Sequence, residues 1–155
     1  MVMDLLESLL DEFGKAVEIE NLTADENRSC LIKLPEDGPE IQLELDKPEE
    51  HLIIGCNLGF VPPGRYRENL FKTALLANAL PPPRNGDFAF SKKSDQIVLT
   101  AKLSIKELNG QKIAAVWDPF IEKATLWTQA IKDGEVPAVH GAYATKSSGR
   151  GMFGL

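Results

Sequence analysis

The chain has 155 residues, a size that supports one hydrophobic core but does not divide comfortably into two domains. Its 43% hydrophobic and 26% charged residues are close to the average of globular proteins, which argues against wholesale disorder and against a membrane-embedded fold. Acidic side chains outnumber basic ones by 23 to 17, and the resulting net charge of -6 would repel a nucleic-acid backbone. These values predict one domain and no nucleic-acid partner.

The sequence carries no signal for a membrane or for export. No stretch approaches the roughly 20 consecutive apolar residues that a membrane-spanning helix needs. Residues 1–11 are acidic, whereas a signal peptide would begin with lysine or arginine. We therefore expect a cytoplasmic protein that does not insert into a membrane.

The first half of the chain is predicted to form a helix followed by three strands. Apolar residues recur at three- and four-residue spacing at the start, which is typical of an amphipathic helix, and Gly14 is a candidate for its end. Three apolar segments follow, and the turn-forming stretches between them predict hairpins. The predicted strands are 30–34, 41–45 and 52–58.

The second half is predicted to form a helix, a hairpin and a long last helix. Apolar positions at helical spacing indicate a helix over 65–80, which three consecutive prolines must end. The segments 87–90 and 96–103 resemble a hairpin. The last helix is predicted over about 104–132, since residues 104–107 have the form of a capping box. A kink or a restart is expected at Asp118 and Pro119.

The element order α-βββ-α-ββ-α predicts an α+β fold, with a single antiparallel sheet flanked by helices. We expect this domain to cover residues 1–133. Residues 134–155 are small, polar and rich in glycine, and they are expected to form a flexible C-terminal tail.

Few residues have the character of catalytic or metal-binding groups. The two histidines are His51, beside a charged turn, and His140, in the predicted tail. Cys30 and Cys56 lie in apolar runs without the spacing of a redox or zinc pair, so they are predicted to be reduced core thiols. His51 and Cys56 are five positions apart on a strand, and an odd separation directs them to opposite faces. We expect no catalytic residue, no metal and no cofactor.

A surplus of apolar residues on the second face of the sheet is the most informative feature of the pattern. Leu31, Ile53 and Val98 fall on the face that would be wet if the helices cover only the other one. Exposed apolar residues of this kind indicate an interaction surface. Alternatively, the last helix or a twin subunit covers them. Trp117 is expected in the core, while the position of Trp127 stays open.

Several stretches resemble one known family. Residues 5–14 (LLESLLDEFG) and 25–30 (DENRSC) resemble the opening of the CesT family of class I type III secretion chaperones. Residues 108–114 (LNGQKIA), 126–127 and 134–137 resemble the chlamydial specific chaperones of this class. The element order is also similar to that family. Pro119 and the long tail depart from its pattern.

The resemblance implies a function as well as a fold. It implies a homodimer, or a heterodimer with a related chaperone, that binds an extended segment near the N-terminus of a secreted effector in the bacterial cytoplasm, without ATP. The family has no catalytic residues to transfer. The effector-binding residues would be Leu5, Leu9, Leu31, Ile53 and Val98. The dimer interface would include Tyr66, Leu70, Phe71, Ala74, Leu75, Phe88 and Phe90.

Two other classes of function remain open at this stage. A regulatory or scaffolding module of the same fold would bind a folded partner, and its binding would survive deletion of the partner's N-terminal segment. A small thiol enzyme would have a Cys30 or Cys56 that reacts rapidly with a mild alkylating agent while the protein stays folded.

Overall fold

The chain alternates helices and hairpins in the order α-βββ-α-ββ-α in a computed structural model, which describes residues 4–139. The predicted element order and the α+β class are confirmed. The elements are α1 (Leu5–Val17), β1 (Ser29–Lys33), β2 (Glu40–Leu45), β3 (His51–Phe60), α2 (Arg65–Asn78), β4 (Asp87–Ser91), β5 (Gln96–Ser104) and α3 (Gly110–Asp133).

The five strands form one antiparallel sheet in the order β1-β2-β3-β5-β4. One face of this sheet carries the core, because α1 and α3 pack on each other and α3 packs on β3 and β5. Cys30, Leu43 and Ile54 are cross-strand neighbours on this inner face, and all three are buried. The ring of Phe13 from α1 meets Trp117 of α3 edge to face, with 5.0 Å between centroids.

Helix α1 begins at an aspartate cap and ends later than the glycine suggested. The Asp4 side chain accepts a hydrogen bond from the backbone N–H of Glu7 at 2.8 Å. Gly14 is not the end of the helix but a buried residue within it. The chain folds back after Val17, and a Cβ at Gly14 would lie only 2.7 Å from the carbonyl oxygen of Ile19. Glycine is therefore needed here for close approach.

Helix α3 begins later than the capping-box pattern suggested. Ser104 is the last residue of β5, paired with His51, because the apolar alternation of β5 extends the ladder to that point. The cap is Asn109, whose side-chain oxygen accepts a hydrogen bond from the N–H of Lys112 at 2.9 Å. The early start at residue 104 was thus wrong, and Asn109 caps the helix at the turn.

Helix α3 also runs through Pro119 as one helix, so it does not restart there. Proline removes one helical hydrogen bond, at a typical cost of about 3 kcal/mol. Trp117 and Phe120 lie on either side of Pro119, and both are buried in the same core. We attribute the continuity of α3 to this shared packing, which holds both halves of the helix against the sheet.

After α3, the described residues up to Val139 still contact the folded domain. The Tyr66 hydroxyl of α2 donates a hydrogen bond to the carbonyl oxygen of Glu135 at 2.7 Å, and Val139 packs against the core. The rest of the predicted tail, with His140, lies outside the described residues. No helix within residues 4–139 is both long enough and apolar enough to cross a membrane.

Candidate partner-binding surfaces

The outer face of the sheet is the face on which α1 and α3 do not pack. Strand alternation places Leu31, Ile53 and Val98 on this face, as the sequence pattern predicted. Leu31 is 52% exposed, and the other two side chains are partly exposed. Within the described residues, neither the last helix nor any other element covers them. They are not cross-strand neighbours of one another, but all three line one depression, and we call these three open side chains the apolar cluster.

A shallow depression of about 340 Å³ lies at the centre of this cluster. Its lining includes Leu31, Ile53, Gly55 and Val98, together with the carboxylates of Glu40 and Glu44. Gly55 pairs with Gln42 on one side and with Thr100 on the other, so it occupies the middle of the sheet. The depression therefore spans the four strands β1, β2, β3 and β5.

The polar groups beside the depression are ordered by hydrogen bonds among themselves. The Ser29 hydroxyl donates to Oε2 of Glu44 at 2.9 Å, and Nε2 of Gln42 donates to the Ser29 hydroxyl at 3.1 Å. The ion pairs within residues 4–139 do not include Glu40 or Glu44. These two carboxylates are available to a cation on a bound partner.

The other two predicted effector-binding residues do not join the outer face. Leu5 and Leu9 belong to α1, which packs on α3 at the inner side of the sheet. Leu5 is 39% exposed, whereas Leu9 is 4% exposed and part of the core. A partner that uses Leu5 would thus bind around an edge of the sheet, and the Leu9 side chain stabilises the fold.

A second apolar surface lies where α2 packs against the edge strand β4. Phe71 and Phe90 meet edge to face, with 4.9 Å between ring centroids. Leu75 beside them is 68% exposed, which is a large exposed fraction for a leucine in a helix. A small depression of about 130 Å³ lies between the helix and the strand at this point. We call Phe71, Leu75 and Phe90 the α2–β4 patch.

The remaining residues of the predicted dimer interface are buried or partly buried within the single chain. Leu70, Ala74 and Phe88 are buried. Phe88 packs against Trp127, with 4.1 Å between ring centroids, so the position of Trp127 is in the core. Tyr66 is partly buried and bonded to Glu135. Of the residues predicted for the dimer interface, those of the α2–β4 patch are the ones left open on the single chain.

Arg67 fixes the orientation of the α2–β4 patch. Its Nε and Nη2 atoms donate hydrogen bonds to the carbonyl oxygen of Val61 at 2.9 and 2.7 Å. Nη2 also lies 2.8 Å from a carboxylate oxygen of Asp95. The guanidinium stands 4.7 Å from the centroid of the Phe90 ring. Helix α2 is thereby tied to the β4–β5 hairpin.

Lys123 is an anchoring residue that sequence reasoning missed. Its Nζ donates hydrogen bonds to the carbonyl oxygens of Arg84 and Gly86 at 2.8 and 2.9 Å, and it lies 4.7 Å from the centroid of the Phe88 ring. Burial lowers the pKa of Lys123 below its usual value. Since its partners are carbonyls 37 and 39 positions away, no local pattern indicates this role.

The thiols and His51 are not arranged for nucleophilic chemistry. Burial raises the pKa of the Cys56 thiol to about 11, and it is the main cause that raises the pKa of Cys30. Nδ1 of His51 lies 2.8 Å from Oδ2 of Asp46, whose turn it stabilises. His51 stands on the outer side of β3, whereas Cys56 is buried on the inner side. Among residues 4–139 no group of side chains is arranged to hold a metal ion.

Comparison with known proteins identifies the family of this fold. The model of the "Tir chaperone protein (CesT) family" matches residues 8–128. No curated protein matches the chain in sequence.

Solved structures with the same fold share little sequence identity with the chain. The Yersinia pestis type III secretion chaperone SycH, solved with a stable fragment of YscM2, is 20% identical, with a TM-score of 0.60 over 79% of this chain and 98% of that one. The HopA1–SchA chaperone–effector complex gives 20% identity and a TM-score of 0.61, over 79% and 91% of the two chains. The ExoU–SpcU complex of the Pseudomonas aeruginosa type III secretion system gives 15% identity and a TM-score of 0.58, over 78% and 95%.

Proposed function

Since this chain belongs to the Tir chaperone protein (CesT) family, we propose that it is a type III secretion chaperone that binds an extended N-terminal segment of a secreted effector. The observation that carries the proposal is the apolar cluster of Leu31, Ile53 and Val98 on a sheet face that the described helices leave open. The similar fold solved as the HopA1–SchA chaperone–effector complex supports the same class of partner.

An extended segment suits this face because the side chains of the segment alternate in direction. Alternate side chains of an extended peptide point to the same side, so every second residue can reach the apolar cluster. The partner loses conformational entropy on binding and gains apolar burial in return. The surface is preformed, so binding requires no ATP and no other cofactor. A segment held in this way is protected from aggregation and stays unfolded for export from the bacterial cytoplasm.

One edge of the sheet is better suited than the other to pair with the backbone of a partner. At β4, the Asn78 side chain accepts a hydrogen bond from the N–H of Phe88 at 2.8 Å and donates one to its carbonyl oxygen at 3.0 Å, which leaves Phe90 as the open residue along this edge of the short strand. At β1, Asp25 engages Ser29 on the outer edge. Leu31 and Lys33, two and four residues further on, direct their N–H and C=O to the same side, so the open stretch is longer here. A partner strand would therefore add at β1.

The α2–β4 patch is the proposed contact to a second subunit, either a copy of this chain or a related chaperone. A two-fold interface joins the same patch of both subunits, and the aromatic pair with Leu75 is apolar enough to be self-complementary. The patch and the outer face involve different residues. A dimer would thus keep both outer faces free for the effector.

The proposal is tested by co-expression of the chain with secreted proteins encoded beside its gene, each with and without its N-terminal segment. Affinity capture followed by light scattering on a sizing column reports which partners bind and the mass of the complex. A dimer that retains only the intact proteins supports the proposal. Capture that survives deletion of the N-terminal segment would support the regulatory or scaffolding module instead, and no capture at all would contradict both.

A further inference from the structure

Gly55 occupies a position where the fold itself does not require glycine. Its φ lies outside the left-handed region, and a Cβ added there would meet no atom closer than Cγ2 of Thr100 at 4.0 Å. By contrast, Gly59 has a φ of +140°, and a Cβ there would approach Cγ2 of Ile131 at 3.2 Å. Glycine inside a strand weakens the strand and often marks a place where a ligand or another backbone comes close.

The neighbours of Gly55 show what the missing side chain makes room for. The nearest side chains on this face are those of Ile53 and Asn57 on β3, Gln42 on β2 and Thr100 on β5, with Leu31 and Val98 one position further out. The result is the depression of about 340 Å³, whose floor is the backbone of Gly55. A residue with a side chain at this position would fill the centre of the apolar cluster from below.

We propose that Gly55 is a specificity-determining residue, forming the floor of a socket that takes one large aliphatic side chain from the extended segment of the effector. This inference rests on the proposed function and names the chemistry that the site selects. The charged side chains that line the depression are both carboxylates, Glu40 and Glu44. The segment therefore carries a lysine or arginine two positions from the aliphatic residue, on the same side of the extended chain, and this basic side chain pairs with one of these carboxylates.

The socket is tested first with a probe that does not depend on any effector. The alcohol 3-methyl-1-butanol carries the branched end of a leucine side chain. Titration of the 15N-labelled chain is expected to shift the amide resonances of Leu31, Ile53 and Val98 in the wild type and not in Gly55→Val. Unchanged resonances in the wild type, or equal shifts in the variant, would overturn the socket whatever the effector experiment gives.

The second test uses the effector segment captured by co-expression. Gly55→Ala and Gly55→Val are expected to unfold at the same or a higher urea concentration than the wild type, because glycine weakens the strand in which it lies and both substitutions remove that glycine. Both are expected to bind the segment more weakly, by roughly tenfold or more for valine, because the socket is filled. Destabilisation by Gly55→Ala, or unchanged affinity of Gly55→Val, would overturn the inference.

Ser104→Thr is the matched control. It adds one carbon to the same face of the sheet, as Gly55→Ala does, but at the end of β5 and outside the depression. It also keeps the hydroxyl that accepts a hydrogen bond from the N–H of Lys106 at 3.2 Å. Its affinity for the segment is expected to equal that of the wild type. If the alcohol fills the socket but no effector is captured, the proposed function fails while the socket stands.

Discussion

The backbone N–H of Gly110 donates a hydrogen bond of 2.9 Å to Oε1 of Glu12, at the point where α3 begins against α1. The two helices are so close here that a Cβ on Gly110 would overlap the backbone carbonyl group of Glu12. Rotation of a side chain cannot relieve a contact with backbone. Gly110 is thus fixed by the packing of α1 on α3.

Gly110→Ala is expected to destabilise the chain, because α1 and α3 must move apart to admit the methyl group. Overpacking of this kind costs about 1–3 kcal/mol. Urea unfolding followed by circular dichroism measures the change. Gln111→Ala, one position further on and exposed, is the control and should stay within about 0.5 kcal/mol of the wild type. A Gly110→Ala variant as stable as this control would contradict the close packing of the helices.

The elements that follow one strong periodicity could be predicted from the sequence. Alternation of apolar residues in β2 and β5, and helical spacing in α1 and α3, correctly gave the element order. Element ends were less predictable, because they depend on tertiary contacts. At Gly14 and Gly110, a side chain would collide with the backbone of a neighbouring segment, so glycine is needed there. No local pattern distinguishes such a glycine from a turn residue.

The candidate surfaces were predictable only in part for the same reason. Strand alternation placed Leu31, Ile53 and Val98 on one face, and in the structure all three line one depression together with polar residues that lie between them. The burial of Leu9 depends on how α1 crosses α3, which the spacing of apolar residues does not specify. The role of Gly55 emerges only once its neighbours on both sides are known.

Lys123→Met is expected to loosen the loop between α2 and β4. The substitution keeps most of the apolar stem but removes the donor to the carbonyl oxygens of Arg84 and Gly86. Loss of a partly buried donor typically costs about 1–3 kcal/mol. The urea midpoint measures the effect.

Lys112→Met provides the control for this loop. Lys112 also donates to a backbone carbonyl oxygen, that of Glu107 at 2.8 Å, but at an exposed site. Its replacement should change the free energy of unfolding by less than about 0.5 kcal/mol. Equal losses for Lys112→Met and Lys123→Met would show that burial adds nothing to the Lys123 anchor.

The Cys56 thiol is expected to make stability fall at alkaline pH. Its pKa is about 11 in the folded chain, against an ordinary value of 9.0. A raised folded-state pKa gives stability that is complete below pH 9 and is lost as the pH rises through 9 toward 11, by about 2–3 kcal/mol at most. Urea unfolding between pH 8 and pH 10.5 measures the slope.

Cys56→Ala removes the titrating group while all other alkaline groups stay. The variant should be less stable at pH 8, because it leaves a small cavity. It should nevertheless lose less stability than the wild type between pH 8 and pH 10.5. Identical slopes for the two proteins would contradict a buried, neutral thiol.

Leu75→Glu is expected to separate the proposed dimer without unfolding the subunit. Leu75 is 68% exposed in the single chain, so a glutamate there remains in water when the subunits are apart. In a dimer it would be buried unpaired, which costs several kcal/mol. Light scattering on a sizing column gives the mass.

The control is Leu126→Glu, on the exposed side of α3, where the side chain is 49% exposed. It should leave the mass of the assembly unchanged, since Leu126 lies outside the α2–β4 patch. A Leu75→Glu variant that is still dimeric would show that the interface lies outside this patch.

The outer face of the sheet is proposed to bind the effector, and titration calorimetry of Leu31→Asp is the sharpest test of this role. Leu31 is 52% exposed, so the substitution should leave the fold intact, and Leu126→Asp serves as the control. The captured N-terminal segment is expected to bind Leu31→Asp at least roughly tenfold more weakly than the wild type, and to bind the control with unchanged affinity. Wild-type affinity in the folded Leu31→Asp variant would contradict it.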